Sequence, residues 1–469
     1  MYLKHSCVMG KLFAVGFLTG ILLFLAVIPA GASSPNLVVI LADDLGYADV
    51  GFNGCTDIPT PHIDRIAAEG IRCTNAYVTH SVCGPSRAAL ITGRYQCRFG
   101  ACRNPTVDPS VPNNGVPRSE QNLAELLKPR GYRSMVVGKW HLGTYPDLHP
   151  LVRGFDEFFG FLTGGHNYFP DQLTLQDLSE VKKPWDWYRT KLLRGEERVT
   201  TTEYLTDELS NAAVDFIHRS HDKPFFLYLA YNAPHEPLQA TEKYLSRFRS
   251  IEDPKRRTYA AMVSAVDDGV GNVLQALSDH QLDRQTIVFF LSDNGGPSTN
   301  GSSNGPLRDY KGSPFEGGVR VPYAVRWVGT LPEGVDYNAP VSSMDIAATI
   351  VAHSGAEVRS NKPLDGVDLI PYLKGDTASL PHAALFWRWY DNQRCAVRVG
   401  NRKLIMMAEA ADQQEFNPPL YYDLHQDLGE TNNRFNREGA QVDEAAQLLY
   451  RWKQELVPPL APGLGSWPP

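Results

Sequence analysis

Four short apolar runs constrain the fold of this chain more than any other feature of its sequence. They are residues 37–41, 133–137, 225–229 and 287–291, and each contains Val, Ile, Leu or Phe in succession. Apolar runs of this length are typical of parallel strands that are buried on both faces of a sheet. Helical segments separate the runs, so we predict an α/β fold in which helices flank a large, doubly wound mixed sheet.

Periodicity and turn residues predict the helices of this α/β region. Between residues 259 and 277, apolar side chains recur at helical spacing along one face. Shorter helices are predicted at residues 61–69, 122–128 and 203–219. The first of them has Pro61 in its opening turn, a position that proline favours.

The sequence changes character after about residue 380. Four strand-like runs and one helical run follow closely on one another, at residues 384–389, 396–399, 404–407, 420–424 and 442–456. This pattern predicts a small antiparallel sheet with one packed helix. We therefore expect a large α/β domain at residues 33–380 and a small C-terminal α+β subdomain at residues 381–469.

The N-terminus predicts export. Lys4 and Lys11 accompany an uncharged apolar stretch at residues 12–28, and small residues follow at 30–32. These are the three parts of a cleavable secretory signal. We predict a signal peptide at residues 1–32, a secreted or periplasmic mature chain, and no stable membrane span after cleavage. The alternative is a retained anchor, since the apolar stretch is long enough to be one.

Charge and cysteine content narrow the function. Across 469 residues the formal net charge is −7, which repels nucleic acid, so an anionic substrate would need a local basic pocket. Six cysteines remain after residue 32, and Cys97 and Cys102 are the pair best suited to a local disulfide in an exported protein. The spacing of Cys and His residues matches no zinc finger, so a metal would be held mostly by oxygen.

Acidic and amide side chains follow two of the predicted strands. Asp43 and Asp44 come directly after the first strand, and Asp293 and Asn294 come after the fourth. Either pair alone is more often a simple turn. Ligands of open α/β sheets, however, bind at the carboxyl ends of the strands, and oxygen donors favour Ca²⁺ or Mg²⁺. Together the two pairs predict a metal site.

Cationic side chains follow the other two strands. Lys139 and His141 come after the second strand, where an extended backbone would point both to one side, and His235 follows the third. Lys311 lies in a loop beyond the second acidic pair, where spacing alone would make it an exposed lysine. A metal beside lysine and histidine suits a tetrahedral oxyanion, which points to sulfate or phosphate ester chemistry.

The sharpest motif lies at residues 83–94, which are CGPSRAALITGR. Taken alone, it could mark only a buried cysteine at the start of a helix. The string resembles, at every fixed position, the type I sulfatase signature C-x-P-S-R-x-x-L-x-T-G-R, in which the cysteine is oxidised to formylglycine. The resemblance extends from Asp43 to residues 420–424. It implies the fold of the alkaline-phosphatase superfamily, a large α/β domain followed by a small sheet domain.

The resemblance also implies roles for the residues at the strand ends. Ca²⁺, with Mg²⁺ as a second option, would be held by the formylglycine made from Cys83 together with the four oxygen donors Asp43, Asp44, Asp293 and Asn294. The activity implied is that of a sulfuric ester hydrolase. Maturation would need a formylglycine-generating enzyme or its equivalent.

The basic residues receive roles from the same resemblance. Arg87, Lys139 and Lys311 would fix the oxygens of formylglycine and sulfate, while His141 and His235 would be the acid and base. Two other functions fit the same motifs. A phosphonate or phosphate monoester hydrolase of the superfamily would share the metal site and the formylglycine. A secreted glycan-binding pseudo-sulfatase would keep its cysteine unmodified.

Substrate specificity is less constrained. The chain is more similar to N-acetylgalactosamine-6-sulfatase-like members than to steroid sulfatases, whose inserted hydrophobic hairpin it lacks, and this implies a sulfated glycan. His166, within a glycine-containing loop, is expected to contact sulfate or sugar. Six aromatic side chains could stack on sugar rings, with ordinary packing as the alternative: Trp185, Trp187, Tyr188, Trp387, Trp389 and Tyr390.

Overall fold

The computed structural model describes residues 34–389, 394–407 and 418–460. These ranges contain the strands β1 Asn36–Ala42, β2 Ile71–Cys73, β3 Ala76–Tyr77, β4 Arg133–Lys139, β5 Glu157–Phe161, β6 Leu192–Arg194, β7 Glu197–Val199, β8 Phe225–Ala230, β9 Thr286–Ser292, β10 Tyr323–Arg326, β11 Val335–Tyr337, β12 Val341–Ser342, β13 Leu385–Arg388, β14 Cys395–Val399, β15 Arg402–Met406 and β16 Leu420–Asp423. The α-helices are α1 Pro61–Ala68, α2 Cys83–Thr92, α3 Leu123–Leu127, α4 Leu205–Ser220, α5 Glu242–Leu245, α6 Pro254–Asp279, α7 Glu316–Val319, α8 Asp345–Ser354, α9 Ile370–Leu373 and α10 Gly439–Lys453.

The predicted signal peptide, residues 1–32, and the aromatic residue Tyr390 lie outside the described residues. Within the described ranges, no helix combines the length and the apolar character needed to cross a bilayer.

The main sheet has ten strands in the order β11-β2-β10-β9-β1-β8-β4-β5-β6-β7, and its centre is parallel. β1 pairs in parallel with β8 and with β9, and β8 pairs in parallel with β4. These four adjacent strands are the four apolar runs of the sequence, so the strand predictions are confirmed. Because they are parallel, their carboxyl ends lie along one edge of the sheet.

The outer strands make the sheet mixed. β10 pairs antiparallel with β9, and β6 pairs antiparallel with β5. The outer strands are short; β11, for example, has three residues, of which Val335 and Asp336 are exposed. Strands of this kind lack a continuous apolar run, so the sequence pattern does not predict their positions.

Helices cover both faces of the main sheet. Val38 and Ile40 of β1 enter a hydrophobic core with residues of α1, α4 and α6. Their neighbours Val39 and Leu41 enter a second core with residues of α2, α3 and α8. Successive side chains of a strand point to opposite faces, so β1 is buried on both. The prediction of a doubly wound sheet is confirmed.

The second sheet, β13-β14-β15-β16, is antiparallel throughout. Leu449 and Trp452 of α10 pack against Val397 and Leu404 of this sheet. The predicted small antiparallel sheet with one helix is therefore confirmed. The helix begins three residues earlier than residue 442, the predicted start, and ends at Lys453.

The described cysteines are free thiols. The predicted bridge between Cys97 and Cys102 is not present; both side chains are buried and in contact. A hydrogen bond with the Cys102 side chain, together with burial, raises the pKa of the Cys97 thiol well above its ordinary value.

Candidate active site

The site forms where the four central strands end. Asp43 follows β1 directly and Asp293 follows β9, while Lys139 is the last residue of β4. The ends are locked together by backbone hydrogen bonds, since the Asp43 N–H donates to the carbonyl of Ala233 and the Asp293 N–H donates to that of Ala42. The register of the parallel strands therefore brings side chains far apart in sequence to one place.

Cys83 comes to this edge as the first residue of α2, whose ten residues are all buried. Leu90 and Ile91 of the helix pack into the core on one face of the sheet. The helix stops at Gly93, whose φ of 68° lies in the left-handed region that favours glycine. The motif thus encodes a short buried helix that holds the Cys83 Sγ 3.5 Å from Asp43 Oδ1.

The Cys83 thiol is protonated at neutral pH. Burial and the neighbouring Asp43 carboxylate raise the pKa of this thiol to about 12. A thiol nucleophile needs the opposite shift, toward the thiolate, which reactive cysteines obtain from nearby positive charge. As an unmodified cysteine, Cys83 is therefore a poor nucleophile.

Three buried carboxylates and one amide lie beside the thiol. The Asp44 N–H donates to Asp293 Oδ1 over 3.3 Å, and the Asn294 amide nitrogen donates to Asp44 Oδ1 over 2.7 Å. The Asn294 Oδ1 atom is buried and has no hydrogen-bond partner among the described residues. A buried carbonyl oxygen without a donor, next to carboxylates, fits an oxygen ligand of a cation.

One ligand atom from each of Asp43, Asp44, Cys83 and His235 lies within 4.8 Å of the others, a spacing that can hold a metal ion. The close approach of the carboxylates raises the pKa of one of them, Asp293. Burial and the charge of Asp43 raise the pKa of the Asp293 carboxyl to about 6. A cation at this point would relieve the repulsion between the carboxylates.

Arg87 ties the acidic residues to the motif helix. Its Nε donates to Asp293 Oδ2 over 2.8 Å, and its Nη1 donates to the carbonyl of Lys139 over 3.1 Å. Its Nη2 lies 3.6 Å from Asp43 Oδ2. Burial opposes the charge of the guanidinium, but Asp293 and Asp43 outweigh it and raise the pKa of Arg87 further.

Two lysines neutralise the adjacent aspartates. Lys139 Nζ makes a short, fully buried ion pair with Asp43 Oδ2. Lys311 Nζ lies 2.7 Å from Asp44 Oδ1. Burial favours the protonated form of Asp44, but the charge of Lys311 outweighs that effect and holds the pKa of Asp44 well below its usual range.

The two histidines are neutral in this environment. Burial and the charge of Lys139 lower the pKa of His141 well below its ordinary value, and its Nδ1 has no partner among the described residues. Burial lowers the pKa of His235 to about 4 against the opposing effect of Asp44. His235 Nδ1 lies 2.6 Å from the carbonyl oxygen of Glu236, which assigns the proton to Nδ1 and leaves Nε2 as the basic nitrogen.

A pocket of about 720 Å³ opens onto these groups, and Cys83, Asp44, His141, His235 and Lys311 are in its lining. Several lining residues have no signal in the sequence, among them Asn104, Pro105, Val107, Leu238 and Thr299. One of them contacts the motif helix, because Asn104 Oδ1 accepts a hydrogen bond from the Gly84 N–H over 2.8 Å.

Comparison with known proteins identifies the family. The family model described as "Sulfatase" matches residues 35–356, and one described as "N-sulphoglucosamine sulphohydrolase, C-terminal" matches residues 311–456. The chain belongs to the sulfatase family. The resemblance drawn from residues 83–94 is confirmed, and the protein is a sulfuric ester hydrolase with an alkaline-phosphatase-like fold.

Individual relatives agree with this assignment. N-acetylgalactosamine-6-sulfatase of Homo sapiens is 37% identical to this sulfatase over 387 residues, covering 76% of this chain and 72% of the human protein. The structure of Ps i-CgsB in complex with k-i-k-neocarrahexaose has a TM-score of 0.85 and 39% identity, covering 91% and 94% of the two chains. Phosphonate monoester hydrolase of Agrobacterium radiobacter has a TM-score of 0.63 at 20% identity over 90% and 96% of the two chains, a likeness that shows the fold alone.

His166 is not among the residues that line the sulfatase pocket. It is fully buried, with Nε2 2.8 Å from the carbonyl of Thr190 and Nδ1 3.0 Å from that of Asn167. Burial lowers its pKa to about 4, and its ring packs on Phe161. Both nitrogens face backbone carbonyl oxygens between β5 and β6, so this geometry gives no support to the predicted contact of His166 with sulfate or sugar.

The aromatic candidates of this sulfatase divide into two groups. Trp387 and Trp389 are buried, and their indole N–H groups donate to the Val78 carbonyl and to Ser81 Oγ, so they pack in the interior. Trp185, Trp187 and Tyr188 line the pocket.

Proposed function

We propose that this sulfatase removes sulfate from a sulfated carbohydrate, using a formylglycine made from Cys83 and a bound Ca²⁺. The observation that carries the proposal is the position of Cys83. Its side chain lies at the base of the pocket beside Asp43, and as a thiol with a pKa of about 12 it is a weak nucleophile. The hydrate of formylglycine would supply two hydroxyl groups at this point, one to attack sulfur and one to expel sulfate afterwards.

Asp43, Asp44, Asp293 and Asn294 would hold the Ca²⁺, with Mg²⁺ as a second option. Support comes from the buried carboxylates and from the Asn294 Oδ1 atom that lacks a donor. The metal would supply positive charge that polarises sulfate and favours ionisation of a bound hydroxyl group.

The basic residues of the site would bind and orient the sulfate group. Lys139 and Lys311 are each paired with an aspartate at the pocket base, so their ammonium groups are already held in place. A bound cation would compete for these aspartates and free lysine N–H donors for the sulfate oxygens. Arg87, on the same helix as residue 83, would hold that helix in place against Asp293 and Lys139 through its two hydrogen bonds.

Proton transfer falls to the two histidines. His235 presents Nε2 as its basic nitrogen, and the nearby charge of a sulfate ester would raise its pKa so that it can carry a proton. His235, aided by Lys311, would then donate that proton to the leaving alcohol oxygen. His141, whose Nδ1 has no described partner, would accept a proton at the base of the pocket.

We infer a sulfated glycan as the substrate. Two relatives support this: one is named for N-acetylgalactosamine-6-sulfate, and another was solved with a neocarrahexaose. The chain would be exported through residues 1–32 and matured by a formylglycine-generating enzyme or its equivalent. Its catalytic domain would comprise residues 33–380 and the small subdomain residues 381–469; the separate four-stranded sheet, which begins at Leu385, supports this division.

The proposal is tested by a panel of sulfated mono- and oligosaccharides together with 4-nitrophenyl sulfate and 4-nitrophenyl phosphate. We expect sulfate release from the aryl ester and from at least one glycan, with phosphate release far slower. Faster turnover of the phosphate would favour the phosphomonoesterase alternative. Glycan binding without any sulfate release would favour the pseudo-sulfatase alternative.

A further inference from the structure

The pocket extends well beyond the groups that would handle sulfate. One side of it is an aromatic wall, which we define as Trp185, Trp187 and Tyr188. Among the other lining residues, Val107 and Leu238 are aliphatic. A sulfate group needs polar partners, so this apolar side of the pocket must serve another part of the substrate.

The three rings of the aromatic wall contact one another. The ring centroids of Trp185 and Trp187 lie 5.2 Å apart, and those of Trp185 and Tyr188 lie 5.8 Å apart in an edge-to-face arrangement. Gly165 leaves room for the Tyr188 hydroxyl, because a Cβ at this glycine would lie 2.4 Å from that oxygen. The three rings therefore form one continuous aromatic surface before any ligand enters.

Trp185 is the residue of the aromatic wall whose ring is most accessible to a ligand. Its residue is 61% exposed, whereas Trp187 is 5% exposed. Its φ of 72° lies in the left-handed region, which a bulky residue adopts at a cost in conformational energy. An indole that is mostly exposed, on a backbone in a costly conformation, contributes little to the stability of the fold, and this combination indicates a role in binding.

The charged side chains of the pocket lining limit the kinds of ligand group that can bind against the aromatic wall. Among the described residues that line the pocket, the positive or protonatable groups are Lys311, His141 and His235, all at the sulfate end. The lining also contains the exposed carboxylate of Glu236, the residue after His235. A second sulfate or a carboxylate beside the wall would find no further cation in the pocket lining, so the lining favours an uncharged group there.

We propose that Trp185 is the platform of a subsite for an uncharged sugar ring, next to the ring whose sulfate is removed. The C–H face of such a ring would stack on the negative face of the indole. The inference rests on the proposed function and adds the substrate class: sulfated oligosaccharides with a neutral ring beside the reacting one. It makes Trp185 and Glu236 the residues that set specificity.

The first test compares Trp185→Ala and Trp185→Phe with the wild type on two substrates, an active sulfated oligosaccharide from the panel and 4-nitrophenyl sulfate. For Trp185→Ala we expect KM for the oligosaccharide to rise about tenfold, the scale of one aromatic contact, with kcat changing much less. Trp185→Phe should recover most of the loss. Tyr450→Ala is the matched control, since Tyr450 is 65% exposed on α10 and does not line the pocket.

The ratio of the two specificity constants separates the outcomes. The subsite is supported if Trp185→Ala lowers kcat/KM for the oligosaccharide relative to that for the aryl sulfate. An equal loss on both substrates, or no loss, would overturn the subsite and leave the sulfatase proposal standing. Turnover of neither substrate by the wild type would instead overturn the proposed function.

The second test concerns charge. Two sulfated disaccharides would be compared that differ at C6 of the ring beside the sulfated one, a hydroxymethyl group in one and a carboxylate in the other. We expect the wild type to prefer the neutral disaccharide by about tenfold or more in kcat/KM, and Glu236→Gln to narrow that preference. Equal or faster turnover of the acidic disaccharide by the wild type would contradict the inference.

Discussion

Three charged side chains are fully buried where α7 meets the four-stranded sheet. Lys403 Nζ lies 2.9 Å from Glu316 Oε1 and 3.0 Å from Glu430 Oε1, and none of the three side chains is exposed. Glu316 has a further cation, Arg320, at 3.5 Å. In the described part of the chain the Glu430 carboxylate forms no other ion pair, so Lys403 is the residue that compensates its charge.

Lys403→Met would therefore leave one buried carboxylate uncompensated. Removing one partner of a buried ion pair costs about 3–5 kcal/mol of the free energy of unfolding. We expect this loss at pH 8. Lys128→Met is the matched control, because the side chain of Lys128 is 56% exposed in its pair with Asp156, and surface pairs contribute about 1 kcal/mol or less.

The loss should depend on pH. Burial and the charge of Glu316 raise the pKa of Glu430 to about 7, against the opposing effect of Lys403. A carboxyl whose pKa is higher in the folded state contributes stability below its ordinary pKa, and that contribution is lost as pH rises through the folded value. Removing Lys403 raises the folded pKa further, so the variant should lose more stability at pH 8 than at pH 5.

Urea unfolding of the wild type and both variants at pH 5 and pH 8, followed by circular dichroism, measures these differences. The double variant Lys403→Met/Glu430→Gln should recover part of the loss at pH 8, because the uncompensated charge is gone. The reasoning is refuted if Lys403→Met costs no more than Lys128→Met at pH 8, or if its cost is larger at pH 5.

Three further predictions concern catalysis. Cys83→Ser should fold normally but lose multiple turnover, because serine offers one hydroxyl group where two are needed; rapid steady-state sulfate release would contradict this. His235→Gln should lower kcat on a glycan sulfate by about 10²–10⁴-fold, and less on 4-nitrophenyl sulfate, whose leaving group departs without a proton; equal losses on both would exclude the acid role. A chelator should abolish sulfate release, and Asn294→Ala should shift the Ca²⁺ titration that restores it to higher concentration; full activity in excess chelator would count against the four oxygen donors.

The central strands were predictable because a strand that is buried on both faces needs a continuous run of apolar residues, which is easily recognised in a sequence. β1 and β9 each contain a continuous apolar run, and its short length and its β-branched or aromatic residues favour a strand over a buried helix. The outer strands carry no such run; β7, for example, is the polar segment Glu197–Val199 and gains its pairing from β6 alone. Edge strands of this kind follow from the tertiary structure.

The site was predictable for a topological reason. Side chains at the carboxyl ends of neighbouring parallel strands meet at one edge of the sheet. Asp43, Lys139 and Asp293 therefore lie close together, and their proximity does not depend on the conformation of the loops. His166 differs because it lies in a loop, where packing on Phe161 decides its orientation. The burial of Lys403 could not be predicted from the sequence either, since a lysine in a short antiparallel strand is usually exposed on the solvent face.

Mass spectrometry tests directly whether Cys83 is converted to formylglycine, as proposed. Trypsin releases residues 73–87, a peptide that also contains Cys73, and fragment ions distinguish the two positions. Protein purified from its native host should give a peptide about 18 Da lighter than the dithiol form, with the loss assigned to position 83, because an aldehyde oxygen replaces the thiol and one hydrogen. A fully active enzyme that retains an unmodified Cys83 would contradict the proposal.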